Sequence, residues 1–206
     1  MAWNYRTPLE RKAISNGTRP PILRRLLIPA DLTLCSLHCV LQPAMGWEDC
    51  HMHGFVSVDK DSVTPIRVRN SLAARLQPAK RTARLSSVLG KIGAKAISTY
   101  DFGDSWEHGV AVEKVLAPAP VASIRHVQQA KRDGPLEDYG GLPGFYNLVE
   151  ALFDPHNDKH EELTDWRGDD FYSETFSVDE VNLRLANLQR RWSRTTTGNR
   201  AQKSPH

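Results

Sequence analysis

Cysteine is scarce in this chain of 206 residues: there are three, Cys35, Cys39 and Cys50, an odd number confined to one short region. That count excludes a secreted disulfide framework and predicts free, reduced thiols in a cytoplasmic protein. Long apolar runs are missing too. Nothing approaches the roughly 18 residues needed to span a bilayer, and MAWNYRTPLERKAISNG has no apolar segment behind its charges, so neither a membrane span nor a signal peptide is expected. Also absent are the upstream glycine-rich loop, strand lysine and HRD-type loop that would give the DFG at Asp101–Gly103 a kinase meaning. No serine-recombinase nucleophile context and no Arg-His-Arg-Tyr pattern is present.

What remains is an ordinary globular composition with a formal net charge of +3 that hides alternation along the chain. The chain is basic to Ala30 and from Asp59 to Tyr100, strongly acidic from Asp101 to Glu180, and basic again to the end. Basic segments can meet a phosphate backbone, or they can pair with the acidic half on folding.

ILRRLLIP (22–29) reads as a first strand between prolines. Thr33 can cap a helix whose Leu34, Leu37 and Leu41 share a side, with Pro43 and Gly46 ending it. HMHGFVSV alternates as a strand that puts His51, His53 and Phe55 on one face. The basic, proline-broken stretch 59–81 predicts a mobile loop, and TARLSSVLGKIG a short helix. AKAISTYDF and SWEHGVAVEKVL predict a hairpin reversed at Gly103, with Trp106, His108, Val110 and Val112 on one face. An irregular crossover follows. LPGFYNLVEALFDP then carries Phe145, Leu148, Val149, Leu152 and Phe153 at helical spacing, a short helix is expected at His160–Trp166, and Ser177 with Glu180 forms a capping box for a last helix. These elements predict a single α+β domain over 20–193: a mixed or antiparallel sheet with a strand-helix-strand start and central hairpin, packed by C-terminal helices. Residues 1–19 are expected to be a poorly ordered basic N-terminus and 194–206 a disordered tail.

PPILRRLLIPADLTLCSLHCVLQPAMGW, HMHGF, YDFGDSWEH, LEDYGG and FYNLVEALFDP, in this order, resemble the Ri-plasmid open-reading-frame-three-like family, some members of which carry a transposon-passenger "TnpR" label. The resemblance implies an α+β domain often carried on mobile elements. The chain departs from the family pattern at Leu23, at Pro43 and in 59–81. It also has Val127, Gly134 and Tyr139 where family members often have cysteines, so no thiolate site is available there.

The residues that match the family motifs are Trp47, His51, His53, Asp101, Asp104, Trp106, His108, Glu137 and Asp138. His51 and His53 at i, i+2 on a strand can face one zinc or other divalent ion, with His108 or an aspartate completing a tetrahedral set. Alternatively, these groups tie the sheet together, the aspartates accepting turn donors and His108 lying bonded beneath Trp106. Cys35 and Cys39, one helical turn apart, lack the C-x-x-C spacing of a zinc knuckle and are expected to be free. Three functions stay open: an accessory that binds DNA or another mobile-element protein, a metal-dependent hydrolase, and an interaction module without catalysis. The absence of a visible nucleophile–base pair favours binding.

Overall fold

The structure is a computed structural model that describes residues 8–59, 62–66, 83–117, 126–167 and 176–201. Seven strands form one sheet: β1 (Pro8–Ser15), β2 (Leu23–Pro29), β3 (His53–Val58), β4 (Val63–Ile66), β5 (Lys95–Tyr100), β6 (Trp106–Val115) and β7 (His126–Lys131). They lie in the order β4-β3-β5-β6-β1-β2-β7, and every pairing is antiparallel. The described helices are α1 (Leu34–Met45), α2 (Leu85–Val88), α3 (Gly141–Phe153), α4 (His160–Arg167) and α5 (Val178–Ala201). This is the expected α+β domain with an antiparallel sheet.

The core lies between one sheet face and α1. Ala13, Leu26, Ile28, Phe55, Ala96, Val110 and Val112 share one buried cluster with Leu34, Leu37, Val40, Leu41 and Ala44. Each fully buried large aliphatic side chain there stabilises the fold by roughly 1.5–3 kcal/mol. Thr33 caps α1 by accepting from the Ser36 N–H at 3.1 Å, and Gly46, at φ 91, closes it by donating to the Gln42 and Pro43 carbonyls. Pro43 is tolerated inside the last turn.

Several sequence expectations need correction. The chain starts strand-strand-helix, because Pro8–Ser15, expected to lie outside the domain, is β1, wedged between β2 and β6. Its charges disguised it. Arg11 is buried on the core side and donates to the Ile28 carbonyl at 3.1 Å. On the opposite face Glu10 sits 3.6 Å from Arg25 and 3.1 Å from Lys114. Val63–Ile66, within the expected mobile loop, is strand β4, at the edge of the sheet among the described residues, where Pro65 is tolerated; residues 60–61 and 67–81 lie outside the described residues. The expected irregular crossover contains β7. Only Val127 of that strand is fully buried, and Asn182 of α5 grips it through the Val127 N–H at 2.8 Å and C=O at 3.0 Å. Phe153 ends α3 exposed instead of joining its stripe. The expected tail begins as helix, since α5 continues to Ala201.

Candidate functional site

Tyr100 and Trp106 close the β5–β6 hairpin as opposite residues. The reversal is made differently from the expectation: Asp101 and Ser105, both at φ 53, take the left-handed conformation, while Gly103 is not among the positive-φ residues. Asp101 can afford this because its Oδ1 accepts the Gly103 N–H at 2.9 Å and its carbonyl accepts the Ser105 N–H at 2.6 Å. The consequence is that the acid, not the glycine, shapes the loop.

The loop before α3 is laced to this hairpin and to the segment after α1. Trp47 Nε1 donates to the Pro135 carbonyl at 2.8 Å. Glu137 accepts the Glu48 N–H at 3.0 Å through Oε2, and its Oε1 accepts the Tyr100 hydroxyl. Gly140 donates its N–H to Asp104 Oδ2 at 3.1 Å. Gly141, at φ 65, lies so close to the hairpin that a Cβ would come 2.5 Å from the Asp104 carbonyl oxygen. Three separate stretches of sequence therefore meet as one body.

The expected site residues divide into two layers. Trp47, His53, Trp106 and His108 are buried. The Trp47 ring stacks on Tyr100 at 4.7 Å between centroids and meets His108 edge-on at 5.1 Å. His53 stacks on His38 of α1 at 3.5 Å. Burial drives the His108 pKa down to about 4, against a weaker opposing hydrogen bond to the Ser98 backbone. It is a neutral structural imidazole.

The outer layer is open. His51 precedes β3 instead of continuing its face, and its Nε2 lies 3.0 Å from Asp138 Oδ1 while its Nδ1 lies 3.7 Å from Asp101 Oδ2. The first contact is an ion-pair approach and not an aligned hydrogen bond, since the same Nε2 has no hydrogen-bond partner by geometry. Two sets of three ligand atoms come within 4.8 Å of one another, Cys50 with His51 and Glu137, and His51 with Asp101 and Asp138. The expected set of His51, His53 and His108 is therefore corrected: His53 and His108 belong to neither group, because both are held in the buried ring layer.

Sequence reasoning assigned no role to Tyr100, which organises this layer. Its hydroxyl accepts the N–H groups of Cys50 at 3.1 Å and His51 at 3.3 Å while donating to Glu137. Burial, then the Glu137 hydrogen bond, keeps the phenol firmly protonated. The available signal was its place facing Trp106 across the hairpin. Local burial of its sulfur, opposed by the Tyr100 hydroxyl but reinforced by Glu137, raises the Cys50 pKa. Asp49, Asp101 and Asp138 all hold left-handed backbone, at φ 62, 53 and 57. Beside them Met52 and Phe102 are exposed, the latter 3.4 Å from where a Gly54 Cβ would stand. Glu137 also faces a groove of about 390 Å³ that Glu48, Asp133 and Glu180 make acidic.

An antiparallel sheet carrying one buried helix, with its polar site at the hairpin tip, defines the class of protein. The chain belongs to the plasmid pRiA4b ORF-3-like protein family, which it matches over residues 14–180. It is 32% identical over 185 residues to the uncharacterized protein y4hQ of Sinorhizobium fredii (strain NBRC 101917 / NGR234), covering 89% of this chain and 93% of that protein. It also resembles the crystal structure of a protein of unknown function, MM3350 from Methanosarcina mazei Go1, with a TM-score of 0.71 and 29% identity over 86% of this chain and 98% of that one. No helix among the described residues is long and apolar enough to cross a membrane.

Proposed function

We propose that this plasmid-family protein is a metal-binding accessory whose divalent ion sits at His51. The carrying observation is that one partly buried imidazole belongs to both three-donor sets, with carboxylates on two sides. Imidazole with carboxylates suits Zn²⁺ or Mn²⁺, and a thiolate from Cys50 would favour Zn²⁺. Ligands drawn from an open rim leave a coordination position free, the requirement for metal-assisted hydrolysis, and the exposed Met52 and Phe102 offer an apolar contact for whatever approaches it.

The test is metal content and calorimetric Zn²⁺ and Mn²⁺ titration of the full chain, alongside phosphodiester and peptide hydrolysis assays. Stoichiometric binding should fall at least tenfold in His51→Ala and more modestly in Asp101→Asn. Binding that survives His51→Ala unchanged removes the proposal.

A second reading, contact with DNA, is supported by a different element. The acidic rim of Asp49, Asp101, Asp104 and Asp138 opposes phosphate, but α5 runs on to Ala201 through Arg190, Arg191, Arg194 and Arg200. On this reading duplex binding weakens steeply between low and physiological salt, and truncation after Leu188 abolishes it. Salt-independent association with another mobile-element protein would replace DNA as the partner.

A further inference from the structure

Cys35 and Cys39 lie one turn apart on α1, both half-buried, in a region that the His51 centre does not use. The Cys35 sulfur is hydrogen-bonded to the thiol of Cys39. Cβ atoms one helical turn apart are about 5–6 Å from each other, whereas a disulfide needs about 3.5–4.5 Å. The pair is thus too far apart to oxidise to a bridge without distorting a well-capped helix, yet near enough for a single atom to span. Cys35 occupies the first turn of α1, where free N–H groups favour an anion.

We propose that Cys35 and Cys39 form a two-thiolate site for a thiophilic monovalent cation, Cu(I). Soft thiolates select soft ions, and the number of ligands then discriminates among them. Zinc wants four donors. Neither of the three-donor groups among the described residues includes Cys35 or Cys39, so this pair offers two ligands, which Cu(I) accepts. Binding displaces the thiol protons to solvent and leaves the oxidation state of both sulfur and copper unchanged. The Cys39 hydrogen bond holds Cys35 down to about 7, against opposing effects of burial and of the Asp49 carboxylate, and the cation replaces that shared proton as the link between the two sulfurs. Asp49 in turn accepts from or pairs with His38 Nε2 at 2.7 Å, so the charge near the thiols is itself braced. This inference stands independently of the His51 proposal, since it involves other ligands and another ion.

The experiment is an anaerobic titration of the full-length chain with Cu(I) against a competing chelator, followed by iodoacetamide footprinting read by mass spectrometry. One Cu(I) per chain is expected, with a thiolate-to-metal ultraviolet band, Cys35 and Cys39 protected from alkylation and Cys50 modified. Cys35→Ser and Cys39→Ser should each weaken binding by at least a hundredfold. The footprint of the unmodified chain decides the matter even if a variant misfolds. Protection of Cys50 with alkylation of the pair, or no protection anywhere, overturns the proposal.

Discussion

Removing the hydroxyl of Tyr100 strips partners from three groups at once: the N–H groups of Cys50 and His51 and the carboxylate of Glu137. Losing these hydrogen bonds in a partly buried setting should cost about 1–3 kcal/mol in Tyr100→Phe, measured by urea denaturation. His108 poses the opposite situation, a group kept neutral. Its folded pKa of about 4 lies below the ordinary 6.5, so above pH 6.5 both folded and unfolded states carry it uncharged and it imposes no penalty. As pH falls from 6.5 towards 4 the unfolded chain takes up the proton first, and stability drops by on the order of 3 kcal/mol. Arg24 and His38 face His108 and oppose its charging further. A His108→Phe chain should show a flatter stability slope in that window; an unchanged slope would assign the acid sensitivity elsewhere. The composition of both layers was legible in the motifs, but their division was not: alternation identifies a face, and says nothing of which polar residues α1 will cover.

Between elements, the hairpin and the loop before α3 are held by Asp104 and by the approach of Gly141. Gly141→Ala adds a methyl group 2.5 Å from a backbone oxygen at a residue with φ 65, so the loops must part. A loss of at least about 2 kcal/mol is expected, together with lower metal affinity if Asp138 moves with the loop. Asp104→Asn keeps an oxygen acceptor for the Gly140 N–H and should be milder than Asp104→Ala, a ranking that thermal melts can check. Helices α1 and α3 and the β5–β6 hairpin could be read in advance because their apolar periods are strong, with Thr33 and Gly46 bounding α1 and Asp154-Pro155 stopping α3. Strands β1 and β7 could not. PLERKAIS hides behind Arg11, buried, and Glu10, which is tied into an ion network, while HVQQAK depends on Asn182 from an element far along the chain.

Across the whole molecule, the strand most easily dismissed holds the sheet together. β1 joins β6 to β2; without it the sheet splits into β4-β3-β5-β6 and β2-β7. A chain beginning at Gly17 should therefore lose its cooperative unfolding transition and most amide protection, although it keeps nearly all of the family match. A truncated chain that still melts sharply would refute this. On the scale of charge, the metal reading rests on the residues at the hairpin tip and the DNA reading on the arginines in the α5 sequence, so separate variants test the two.

The central position of β1 also bears on how the protein is made. A ribosome releases β1 and β2 first, but the other flank of β1 has no mate until β6 emerges, long after Ser15 has left the exit tunnel. For that interval a nascent hairpin offers bare main-chain donors and acceptors to any passing strand, an aggregation hazard that its lysine and arginines blunt. The charges that made this segment look dispensable are thus suited to guarding it until its second neighbour arrives.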